Sequence, residues 1–155
     1  MSYELLKTIH ILGAILLLGN ITVSAWWKVM ANRTGDARII AFAQCQVMRT
    51  DILFTLPGAV MIVVTGDFIG YVLYLNSWSI QWLSWGRILF IASGLIWLFV
   101  LIPIQVKQIR LSRAFAAGSE IPPAYWRLNR YWYAFGAIAG LLPTANLYWM
   151  VFKPI

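Results

Sequence analysis

The chain has 155 residues, of which 61% are hydrophobic and only 11% charged. That balance excludes a disordered chain, which needs low hydrophobicity and high charge. It also excludes an ordinary soluble domain, whose surface carries more charge. The net charge is +7, but the basic residues stand between apolar runs, so lipid headgroups rather than nucleic acid are the expected counter-charge.

Four apolar stretches follow one another, from about Leu5 to Trp27, Ile39 to Leu75, Trp85 to Val106 and Tyr131 to Phe152. Each is near or above the roughly 20 residues that cross a hydrocarbon core as a helix. In lipid a spanning segment satisfies its own backbone, and the alternation of barrel strands is absent. In the first stretch, Val23-Ser24-Ala25 resembles a signal-peptide cleavage site, yet Glu4 offsets Lys7 in the leading region. It therefore reads as a span. The second stretch is long, with Arg49, Asp51 and Asp67 set into it and Pro57 expected to kink it. Pro103 and Pro143 are expected to bend the third and fourth helices.

The expected architecture is an all-α, up-down-up-down transmembrane four-helix bundle. Its helices run at about 3–29, 38–75, 84–113 and 124–152, in one domain spanning residues 1–155. The connectors read as Asn32-Arg33-Thr34-Gly35-Asp36 and Gly118-Ser119-Glu120-Ile121-Pro122-Pro123. Nine of the twelve basic residues fall in or beside the first and third loops: Lys28, Arg33, Arg38, Arg49, Lys107, Arg110, Arg113, Arg127 and Arg130. The positive-inside rule then puts those loops in the cytoplasm and both termini outside, as in a bacterial inner-membrane protein.

Polar residues inside spans are expensive and mark partners or function. Tyr3, Lys7, His10, Gly13, Asn20, Ser24 and Lys28 share one face of the first helix. Gln44, Met48, Asp51, Thr55, Gly58, Ile62 and Thr65 share one face of the second. Both stripes are expected to face the bundle interior, with Ser24, Gln44, Thr55 and Thr65 as hydrogen-bonding groups. Asp51 is the candidate proton or cation site, or else the partner of Arg127 or Arg130. Gly136 and Gly140 form a GxxxG pattern suited to close helix approach, within the bundle or between copies. Cys45 and Met48 are a pair of soft sulfur ligands at i, i+3, more suited to packing than to Cu(I).

Alternating topology brings Lys7, His10, Asp67, Arg87 and Lys153 to one membrane side. Lys7, Arg87 and Lys153 would neutralise the propionates of a haem, and His10 would ligate its iron. On this reading the cofactor is haem b and the role redox or haem-related. The alternative is a non-enzymatic membrane protein that binds or passes a small ligand, ion or metal, with Asn20, Asp51, Thr55 and Asp67 as its polar interior. A structural, oligomeric bundle is the third.

Leu6-Lys7-Thr8-Ile9-His10-Ile11 resembles the opening of the first helix in HemJ-type protoporphyrinogen oxidases. Trp85-Gly86-Arg87 and Met150-Val151-Phe152-Lys153-Pro154 resemble two further patterns of that family. Leu53-Phe54-Thr55-Leu56-Pro57-Gly58, Thr65-Gly66 and Leu128-Asn129-Arg130-Tyr131-Trp132 are more similar to a group of uncharacterised four-helix integral membrane proteins in the broad HemJ/CopD-like grouping. The resemblance implies a haem-binding bundle with His10 as ligand and Lys7, Arg87 and Lys153 as its basic residues. HemJ-type proteins carry a further histidine in the third helix. Here that region reads Leu95-Ile96-Trp97-Leu98-Phe99, and His10 is the chain's one histidine.

Overall fold

The computed structural model describes residues 2–76, 78–118 and 120–153. Ser119 of the expected second connector and Pro154 of the closing pattern lie outside them. Four long helices account for nearly all the described residues: α1 (Tyr3–Thr34), α2 (Ala37–Val72), α3 (Gln81–Ala116) and α4 (Pro123–Phe152). Each is long and apolar enough to cross a membrane. Large side chains such as Ile15, Trp26, Phe42, Leu53, Phe99 and Leu141 lie exposed on the bundle's flanks. In water that surface would drive association; in lipid it is solvated.

The helix ends differ from the expectation where turn chemistry decides. α1 runs past position 29 to Thr34, so most of the expected first connector is helical. Gly35 ends it at φ 68, a left-handed conformation open to glycine at little cost. Asp36 then caps α2 by accepting from the backbone N–H groups of Arg38 and Ile39. The turn is thus only two residues long, and α1 and α2 form a tight antiparallel hairpin. α3 and α4 form the second, with Pro123 in the first turn of α4.

The prolines act in two ways. Pro57 and Pro103 each follow a single π-helical turn, Asp51–Thr55 in α2 and Trp97–Leu101 in α3. Each ring lacks an N–H and would clash with a carbonyl one turn earlier, and the widened turn accommodates both faults. Pro143 lies inside a continuous α4.

Both termini and the α2–α3 connection share one end of the bundle, here called the terminal end. The α1–α2 and α3–α4 connections share the other, the basic end. Exposed Arg33, Arg38, Arg49, Lys107, Arg110, Arg113, Arg127 and Arg130 gather towards it. Lys28 is the exception among the nine expected there. It is only 1% exposed, because the longer α1 carries its polar stripe into the bundle.

The two halves pack differently. Near the basic end, Ile40, Ala41, Phe115 and Tyr125 form one apolar cluster. Val47, Leu101, Trp132 and Ala139 form a second, deeper one. Towards the terminal end the hairpins separate. Among the described residues, 56–72 and 81–96 share no Cα pair within 8 Å, and neither do α1 and 81–96. Each hairpin is held by its own glycine crossing. A Cβ on Gly13 would lie 2.8 Å from the Gly58 carbonyl oxygen, so α1 and α2 touch backbone to backbone there. On α3, Gly86 instead makes room for the side chains of Asn146 and Met150 of α4.

Candidate functional site

Where the hairpins part, a cavity of about 300 Å³ lies between all four helices. Its wall is mostly apolar, with Leu17 and Ile21 from α1, Ala59 from α2, Phe90 from α3 and Gly136 and Gly140 from α4. Gly94 and Ala137 also line it and are exposed, so the cavity reaches the apolar flank of the molecule. The GxxxG pair therefore faces the interior. A Cβ on Gly140 would meet Ile21 of α1 at 3.4 Å.

The cavity's polar end is built on the two π turns. Asp51 opens the one in α2 and is 4% exposed. Its Oδ1 accepts from Asn20 at 3.1 Å and from the Thr55 hydroxyl at 3.0 Å. Asn20 also donates to Thr55 Oγ1 at 2.8 Å. Asp51 Oδ2 accepts from Gln105 Nε2 at 3.0 Å and, at 3.5 Å, from the Nε1 of Trp97, the residue that opens the π turn of α3. The expected pairing with Arg127 or Arg130 is not made, since both lie exposed near the start of α4 while Asp51 sits deeper, among neutral donors.

Asn20, Asp51 and Thr55 thus come together as the two stripes require. Asp67 does not join them. Its side chain is 57% exposed at the terminal end, in a 2.8 Å ion pair with Arg87 that ties the two hairpins together. Two buried atoms beside the cavity have no hydrogen-bond partner, Gln105 Oε1 and Trp132 Nε1. Gln105 is 1% exposed and Trp132 6%. Unpaired buried polar atoms are costly and call for an explanation.

A second polar layer lies between the cavity and the basic end. Lys28 Nζ donates to Gln44 Oε1 at 2.6 Å and to Gln108 Oε1 at 2.7 Å, and sits 4.1 Å from the centroid of the Trp132 ring. Asn32 donates to Asn129 Oδ1 at 3.1 Å and to the Tyr133 hydroxyl at 2.8 Å, and accepts from the Tyr125 hydroxyl. Sequence reasoning missed the α3 and α4 members of both layers. The available signal was Gln105 and Gln108 at i, i+3 on one face of α3, with Asn129 and Trp132 likewise on α4.

The expected outer constellation divides into separate contacts. His10 Nδ1 lies 2.9 Å from Thr65 Oγ1, and its ring packs beside Gly66. Arg87 is engaged by Asp67, Lys153 lies over the Trp82 ring, and Lys7 is exposed. Among the described residues no three His, Cys, Asp or Glu side chains are grouped to hold a metal ion. Thr65 also donates to the Met61 carbonyl, and Ser24 to that of Ile21. Of the four stripe residues expected to bond between helices, Gln44, Thr55 and Thr65 do so.

One protein family, described as "Predicted integral membrane protein (DUF2269)", has a model that matches residues 4–154. The chain belongs to that family. Searches of curated proteins and of solved structures found no match.

Proposed function

We propose that this integral membrane protein binds, and passes between membrane compartments, a small molecule held in the cavity between its two hairpins. Asp51 and Gln105 form the polar end of that site. The observation that carries the reading is a buried carboxylate at the cavity's edge beside two unpartnered polar atoms, in a chain otherwise sparing of charge. The positive-inside rule orients the basic end to the cytoplasm, and the cavity's lining residues lie near the middle of each helix, at about mid-membrane depth.

The test is to fill the cavity. Gly136 has room beside it, since an added Cβ would meet nothing closer than its own helix's Trp132 ring at 4.0 Å. A Gly136→Leu chain should remain folded yet lose saturable binding and uptake of small amphiphiles in proteoliposomes. Unchanged binding would remove the cavity from the account.

The haem b reading, with His10 on the iron and Lys7, Arg87 and Lys153 at the propionates, is the competing one. So is the HemJ or CopD relationship behind it. It draws less support from the side chains, because Arg87 already serves Asp67 and His10 already faces Thr65. It calls for a Soret band in the haem-supplemented protein that changes in His10→Ala.

A further inference from the structure

We infer that the cavity's ligand is a hydrophobic organic ammonium ion, a reading that rests on the ligand cavity proposed above. The first ground is charge. Asp51 accepts four hydrogen bonds, all from neutral groups: Asn20, Thr55, Gln105 and Trp97. The one ion pair among the described residues is that of Asp67 with Arg87, so no cation is in contact with Asp51. The buried Lys28 acts on Asp51 only through space. Its ammonium is held instead by two glutamine oxygens and the face of Trp132. A carboxylate so deep in a bundle is costly without a positive partner, and the cavity beside it is where one fits.

The second ground is the wall. Phe90, Trp97 and Tyr133 line the cavity, and aromatic faces attract a desolvated cation, whereas the Trp132 ring is already taken by the Lys28 ammonium. The third is the unpartnered acceptor. The carboxylate's four lone-pair sites are taken by its four donors, but Gln105 Oε1 is free to receive an ammonium N–H. Asp51 then supplies the charge and Gln105 the hydrogen bond. An anion would meet the carboxylate's repulsion. A neutral alcohol would use Gln105 and leave the charge unanswered.

Size and access complete the description. A cavity of roughly 150 Å³ admits a benzene-sized molecule. About 300 Å³ accepts one aromatic ring with a short amino chain. The opening on the apolar flank, at Gly94 and Ala137, suits a ligand that arrives dissolved in the bilayer.

The experiment is equilibrium dialysis of three matched probes against the full chain in lipid nanodiscs, with empty nanodiscs as the blank. The probes are 3-phenylpropylammonium, 3-phenylpropanol and 3-phenylpropionate. The expected result is saturable binding of the ammonium at least about tenfold tighter than that of the alcohol, with no binding of the carboxylate. Asp51→Asn should reduce the ammonium to the level of the alcohol, and Gly136→Leu should abolish both. The wild-type comparison needs no variant, so a misfolded Asp51→Asn chain leaves the test intact. Equal binding of ammonium and alcohol, lost in Gly136→Leu, overturns the cationic ligand and keeps the cavity. Absence of saturable binding, or binding untouched by Gly136→Leu, overturns both.

Discussion

Two polar layers cross this bundle, and they treat a buried charge in opposite ways. In the layer near the basic end, Lys28 is enclosed by Gln44, Gln108 and the Trp132 ring, with side chains from all four helices contributing and Gln44 Nε2 left unpaired. In the deeper layer, Asp51 is equally buried but borders a cavity, with Gln105 Oε1 and Trp132 Nε1 left unpaired. We read the first as a fastening, since Lys28 joins all four helices and does not line the cavity. The second is the one we read as a site, because Asp51 and Gln105 line the cavity. A buried charge alone is therefore a weak pointer to a site in a membrane bundle; a buried charge that borders a cavity is a stronger one.

Substitutions that strike one layer and spare the other sharpen this contrast. Lys28→Met should have the largest effect. It strands two amide oxygens at the centre of the four-helix contact and should cost about 3 kcal/mol in reversible unfolding from mixed micelles. Gly13→Val should come next, at about 2 kcal/mol. Its side chain would meet the Gly58 carbonyl oxygen and Met61, whose surroundings leave little room to yield. Asp51→Asn should cost only about 1 kcal/mol, because a flipped Gln105 amide can face the new NH2 with its free oxygen. Its effect should appear in ligand binding instead. The smallest is Gly94→Ala, whose added methyl meets nothing within 4 Å. A gain of up to about 1 kcal/mol from helix propensity is expected in the same unfolding assay. A Lys28→Met chain as stable as the wild type, or an Asp51→Asn chain that unfolds, would reverse the roles given to the two layers.

Much of the frame was legible in the residues. Apolar length marks four spans, and helical periodicity puts Asn20, Asp51 and Thr55 on facing stripes, where the structure joins them. What pairs with them across the bundle was not legible. Gln105 and Gln108 lie at the polar end of the third apolar stretch, where amides look like headgroup-level residues. Only the packing of α2 on α3 brings them inward. Lys28 was ambiguous for a related reason. It lies on an interior stripe and also within the basic run expected of a cytoplasmic loop, and the two-residue turn at Gly35 and Asp36 decides for the interior. The π turns were half visible. A kink at Pro57 is a direct consequence of its ring. Absorption of the fault as a widened turn opening at Asp51 depends on how α2 packs.

Thiol labelling in a Cys45→Ser background tests the central contrast most directly. Ser93 lines the cavity and Ser112 lies fully buried nearer the basic end. With N-ethylmaleimide, small enough for the cavity and soluble in the bilayer, Ser93→Cys should label readily and Ser112→Cys should stay unreacted. Adding Gly136→Leu should slow the first and leave the second unchanged. Equal protection of both positions, or labelling of Ser93→Cys indifferent to Gly136→Leu, would contradict the account.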